Sequence, residues 1–136
     1  MKNQPEYILQ KQICKFLKLQ YPNVFFLSDT IASVYLTAPQ AQRNKDIQNS
    51  NFHCPDLLIL QPNKTYKGLF IELKVITPFK KNGAIKASKN NHLLNQQKSI
   101  DKLNSFGYCA FFSWGFEDTV NLIKSYFQDE LKLKTK

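Results

Sequence analysis

Two carboxylates and an ammonium group, Asp56, Glu72 and Lys74, stand in two neighbouring apolar runs of this 136-residue chain. Alternation along a strand puts Phe70, Glu72 and Lys74 on one face, and Leu69, Ile71 and Leu73 on the other. Ionised groups in such a strand cost roughly several kcal/mol each unless they are paired, metal-bound or open to a cleft. Asp56 opens the preceding run, behind Pro55, which fixes the backbone where the chain enters the sheet. If the two strands pair, one carboxylate from each converges on a single point. Two hard oxygen donors, helped by a backbone carbonyl such as that of Leu73, suit Mg²⁺, which keeps most of its waters and takes substrate phosphate at the remaining positions. Lys74, on the same face, can hold an attacking water, lower its pKa and offset charge on a pentavalent phosphorane. The alternative is an ion pair between Glu72 and Lys74 at a sheet edge, with Asp56 as a turn residue.

The elements that would position these groups follow from periodicity. Asn3 or Gln4 caps a helix over residues 4–20 with Pro5 in its first turn, and Leu9, Ile13, Phe16 and Leu17 recur at helical spacing. Val24 to Ser28 reads as a short strand. Asp56 to Leu60 and Leu69 to Ile76 read as a hairpin with a loop of moderate length. Asn91 to Phe106 is helical, with Leu93, Gln96, Ile100 and Leu103 on one stripe and Gly107 as the stop. Tyr108 to Trp114 reads as a buried strand, and Glu117 to Phe127 as a last helix with two acids in its first turn. The result is an α/β fold, a mixed sheet flanked by helices, in one domain spanning residues 1–136. Asp29 to Cys54 is the stretch least readable from pattern.

Composition narrows the partners. Lys and Arg number 19 against 10 Asp and Glu, a formal charge of +9, which favours a polyanion, with nucleic acid ahead of an anionic membrane surface. From Thr77 to Lys98 there are five lysines and no acid, which reads as a solvated, mobile loop leading into a helix. Lys80, Lys81, Lys86 and Lys89 are its candidate phosphate contacts. A second polar stretch, Ala38 to Asn51, carries Arg43 and Lys45 and reads as a short exposed helix or loop that either touches a nucleic-acid backbone or is simply solvated. No apolar run approaches the ~20 residues of a membrane span. No apolar segment follows the N-terminal residues, so the expected location is the cytoplasm. Cys14, Cys54 and Cys109 form no CxxC pair, so reduced thiols are expected.

The order Pro-Asp, then Glu-x-Lys sixteen residues after the Asp, resembles the signature of the PD-(D/E)XK nucleases. Three stretches narrow the resemblance to the VRR-NUC family: Cys54 to Leu60, Gly68 to Lys74, and His92 to Gln96 followed by Leu103 and Phe106-Gly107-Tyr108. The chain is most similar to the compact, stand-alone members found in phages and prophages. The resemblance implies a restriction-endonuclease-like αβββαβ core. It also implies metal-dependent hydrolysis of DNA phosphodiesters with Mg²⁺ (Mn²⁺ as a substitute), a branched, junction or flap substrate, and a homodimer. It places the metal acids at Asp56 and Glu72, the catalytic lysine at Lys74, a helix glutamine at Gln96 and a first-helix acid at Glu6. Periodicity turns Glu6 and Gln96 inward as well. Each has more than one reading: Glu6 can ligate a second metal, directly or through water, or close a capping box with Asn3, and Gln96 can donate to a backbone carbonyl in the core. His92 reads as a capping or surface histidine before a phosphate ligand. The rival function is a nucleic-acid-binding module on the same fold, against which stands the intact set of Asp56, Glu72 and Lys74.

Overall fold

A computed structural model describes residues 4–28 and 35–132. In chain order the elements are α1 (Gln4–Gln20), β1 (Phe26–Ser28), α2 (Ala38–Ile47), β2 (Leu57–Ile59), β3 (Leu69–Lys74), α3 (His92–Ser105), β4 (Cys109–Trp114) and α4 (Phe116–Phe127). The four strands lie in the order β1-β2-β3-β4, antiparallel except for the parallel pair of β3 and β4. The expected mixed sheet with an αβββαβ core is therefore present, with α2 and α4 added to it.

Alternation in β3 divides the interior into two layers. Leu69, Ile71 and Leu73 pack with Leu9, Ile13 and Leu17 of α1 and with Val120, Ile123 and Tyr126 of α4. Phe70 faces the other way, with Ala110 and Phe112 of β4 and Ile100 and Leu103 of α3. Glu72 and Lys74 share the parity of Phe70, so the sheet turns them toward the α3 layer. β3 is an inner strand, although β2 pairs with it only as far as Ile71, so at Glu72 and Lys74 it is flanked by β4 alone. At the end of α3, Gly107 takes φ +98, a conformation that side chains rarely adopt, and the chain turns back into β4.

Several element boundaries differ from those read in the sequence. β3 ends at Lys74 rather than Ile76, because the Gly115 amide donates to the Lys74 carbonyl (3.1 Å) and Gly115, at φ +82, turns β4 away into α4. Val75 and Ile76 are left without a neighbouring strand and exposed. β2 starts after Asp56, whose side chain, not its backbone, takes the next ladder position. The polar stretch around Arg43 and Lys45 is helix α2, opened by a reciprocal cap between Thr37 and Gln40. None of its residues is buried. Asn3, the proposed cap of α1, lies outside the described residues.

The lysine-rich connection is more structured than a solvated loop. Phe79 and Ile85 form an antiparallel bridge, closed by hydrogen bonds from the Lys80 amide to the Ala84 carbonyl (2.7 Å) and from the Lys86 amide to the Pro78 carbonyl (2.9 Å). The Phe79 ring meets Phe112 and Trp114 edge-on at 5.7 and 5.9 Å, so this small hairpin is fastened to β4.

Candidate active site

Pairing of β2 with β3 sets Leu57 opposite Ile71 and Leu58 opposite Phe70. Asp56 immediately precedes the last pair of this ladder and Glu72 immediately follows it on the partner strand, so the two acids flank the same end of the β2–β3 pairing. Both carboxylates are buried, with relative exposures of 5% and 6%. Asp56 Oδ2 accepts a hydrogen bond from the Leu73 amide at 2.9 Å. The carbonyl of a strand residue leaves on the same side as its amide, so the Leu73 carbonyl also emerges past the end of β2, beside Asp56.

Glu72 is held from above. Gln96 Nε2 of α3 donates to Glu72 Oε1 at 2.7 Å, and Lys74 Nζ lies 3.9 Å from the same oxygen. The Lys74 ammonium also sits 6.0 Å from the centre of the Phe112 ring. Gln96 thus serves a side chain rather than a core backbone carbonyl. Its own Oε1 is buried and has no hydrogen-bond partner among the described residues. Gln97 turns away and bonds Asp101 Oδ1 on its own helix (2.8 Å).

The donor set can be tested against a cation. Asp56 bonds the Leu73 amide and Glu72 is the preceding residue of β3, so two hard carboxylates lie beside one strand end, and among the described residues no group of three or more His, Cys, Asp or Glu is close enough to hold a metal by itself. That excludes a closed structural shell of four protein ligands among those residues. It fits an ion such as Mg²⁺ that takes one or two carboxylates and leaves the rest of its sphere to water and phosphate.

Gln10 braces this group, and Ser99, His53 and His92 form a second cluster built on α3; pattern reading gave neither arrangement. Gln10, buried in α1, donates from Nε2 to the Asp56 carbonyl (3.2 Å) and to Ser28 Oγ (2.6 Å). Ser99, seven residues beyond His92 and three beyond Gln96 on the same stripe of α3, accepts from the His53 amide at 2.9 Å. The His53 and His92 rings then meet edge-to-face with centres 6.0 Å apart. His92 is exposed at the start of α3, as expected of a surface histidine, and it packs against His53. Its pKa is lowered, first by loss of water around the inward part of the ring and then by the charges of Lys74 and His53, with Glu6 and Asp56 pulling the other way. Glu6, half-buried near the start of α1, is thereby placed within electrostatic reach of the same mouth. The sequence signal for Gln10 was available: it lies four residues after Glu6, one helical turn on.

The basic candidates lie outside this cluster. Lys80, Lys81 and Lys89 are exposed, the first two at the turn of the Phe79 hairpin, and Lys86 is half-buried at its base. Among the described residues no hydrogen bond, ion pair or ring contact joins Arg43 or Lys45 to Asp56, Glu72 or Lys74. A pocket of about 310 Å³, lined by residues including Phe112, Trp114, Asp118 and Asn121, opens between β4 and α4 and does not include the carboxylates.

The fold has the class of a restriction-endonuclease-like mixed sheet flanked by helices. Within that class it is similar to a solved structure described as "VRR_NUC domain protein", with a TM-score of 0.61, 21% identity, and coverage of 94% of this chain and 92% of that one. This is the fold that the Pro-Asp and Glu-x-Lys strands imply. No protein-family model matches the chain, and no curated protein matches it.

Proposed function

We propose that this chain is a member of the VRR-NUC family and a Mg²⁺-dependent nuclease that hydrolyses DNA phosphodiesters. The observation that carries the reading is a pair of buried carboxylates at one end of β3: Asp56, bonded to the Leu73 amide, and Glu72, held by Gln96 with the Lys74 ammonium 3.9 Å away. A fold shared with a VRR_NUC domain protein supports it. Asp56, Glu72 and the Leu73 carbonyl would hold Mg²⁺, or Mn²⁺ in its place, which when bound polarises the phosphate and neutralises its charge. Lys74 orients the attacking water and stabilises negative charge as it grows on the phosphoryl oxygens. The water oxygen bonds to phosphorus, the bond from phosphorus to the 3′ oxygen breaks, and the products are a 5′-phosphate and a 3′-hydroxyl. Gln96 fixes the Glu72 carboxylate, and Glu6 adds negative charge at the mouth. Lys80, Lys81, Lys86, Lys89, Arg43 and Lys45 supply cationic contacts to the backbone of the bound DNA.

The substrate in this reading is branched DNA, a junction or a flap, met in the cytoplasm during replication, recombination or repair of a phage or prophage. One chain carries one catalytic set, so cutting two strands of a junction calls for two sets related by symmetry, and a twofold homodimer supplies them. The test is incubation of the pure protein with linear, nicked, flapped and four-way DNA in Mg²⁺, Mn²⁺ or EDTA, with molar mass read by light scattering. Metal-dependent cutting that favours branched DNA, by a dimer, is expected, and Asp56→Ala or Glu72→Ala should abolish it. Cleavage within about tenfold of wild type in either variant would overturn the site. A monomer that cuts linear and four-way DNA equally would overturn the choice of substrate and assembly.

A further inference from the structure

We propose that His53 and His92 form a phosphate-binding pair at the mouth of the centre, taking a backbone phosphate of the nucleic-acid strand beside the one that is cut. This deepens the nuclease reading and rests on it for the identity of the substrate. The two rings come from distant parts of the chain and are brought to 6.0 Å at an interplanar angle of 78°. The placement is built by α3: His92 is its first residue, and Ser99, buried two turns further on, holds the backbone amide of His53. The same stripe carries Gln96, which holds Glu72, so one helix sets the imidazoles relative to the carboxylates. His92 opens the helix that one turn later presents Gln96 to Glu72, so its ring stands on the side of the sheet that carries Glu72.

Both residues are accessible, His92 exposed and His53 half-buried, and among the described residues neither ring makes a hydrogen bond. A neutral imidazole presents one N–H donor and one acceptor nitrogen. Next to two buried carboxylates, a pair of such donors can meet a phosphate oxygen without burying another full charge. The pair is a poor metal site, since no third His, Cys, Asp or Glu joins it among the described residues.

The test uses the full chain with His53→Ala, His92→Ala, the double variant and His92→Gln, which retains an N–H donor. Binding of labelled duplex and flapped DNA is measured by anisotropy in EDTA, cleavage is measured in Mg²⁺, and Mn²⁺ binding is measured by calorimetry. Each alanine variant should weaken DNA binding and raise KM about tenfold, as expected for removal of one hydrogen bond to a charged group. The cleavage rate at saturating DNA should stay within about threefold, with Mn²⁺ affinity unchanged and binding partly recovered in His92→Gln. Unchanged DNA affinity and KM in the double variant would overturn the proposal, as would a matching loss of Mn²⁺ affinity, which would make the pair a metal site. If the wild-type protein does not cut DNA, the nuclease reading fails, yet the binding measured in EDTA still decides whether the imidazoles hold phosphate.

Discussion

Replacing Gln96 with leucine separates its service to Glu72 from its contribution to the core. In the native protein its amide donates one charge-assisted bond, worth about 1.5–3 kcal/mol. Its Oε1, buried with no hydrogen-bond partner among the described residues, costs about 1–3 kcal/mol. Gln96→Leu removes both at nearly constant volume. Those two terms nearly cancel, and what remains is the buried Glu72 carboxylate short of one donor, so metal-free stability should fall by about 1–3 kcal/mol. The consequence for Glu72 is not cancelled. A carboxylate deprived of the donor that orients it should bind metal about 10–100-fold more weakly. Calorimetric titration with Mn²⁺ and the Mg²⁺ dependence of cleavage read this directly, and urea melts without metal read the stability. Loss of more than about 3 kcal/mol together with unchanged Mn²⁺ affinity would refute the reasoning and leave Gln96 as a core residue.

Lys74→Ala should lower the cleavage rate at least about a hundredfold with little change in Mn²⁺ affinity, and near-normal turnover would make the lysine structural. Serine at Lys80, Lys81, Lys86 and Lys89 should weaken DNA binding and flatten its salt dependence by close to one unit of log–log slope for every phosphate no longer neutralised, while the rate at saturating DNA persists. Gln10→Ala breaks two hydrogen bonds that tie α1 to Ser28 and to the Asp56 carbonyl. It should cost about 1–3 kcal/mol in a urea melt and also lower Mn²⁺ affinity. Burial pushes the Cys109 thiol up to about 12 from 9.0, and the Tyr126 hydroxyl up to about 12 from 10.0. The native state then keeps protons that the unfolded chain releases, so stability should fall as pH rises above 9, by up to about 1.4 kcal/mol per pH unit for each group. Cys109→Ala should remove the part of that loss between pH 9 and 10.

The centre of the fold was legible because its signals are local. Strict alternation from Leu69 to Lys74 placed Glu72 and Lys74 on one face, and helical spacing from Leu93 to Leu103 chose Gln96 over Gln97. What stayed hidden depends on distant partners. Gln10 meets Asp56 across 46 positions, and His53 meets Ser99 across 46 as well. A glutamine or serine on an amphipathic helix looks the same in sequence whether it faces water or a backbone group. The pairing of Phe79 with Ile85 escaped notice for a related reason. Two apolar residues in a run of lysines have no period, and only the rings of Phe112 and Trp114 give one of them a place to dock.

The manner in which the basic hairpin is attached bears on how such a protein can diversify. Its backbone bonds close on themselves, from Pro78 to Lys86, and its described ring contacts with the sheet run through Phe79. Residues can be inserted or deleted between Lys81 and Gly83 without shifting the register of β3 or rotating the stripe of α3. One inserted residue inside α3, by contrast, turns everything beyond it by about 100° and separates His92, Gln96 and Ser99 from one another's partners. The hairpin is thus an exchangeable part on a frame whose register it does not set, and its length and charge can change while the strands and α3 stay in place.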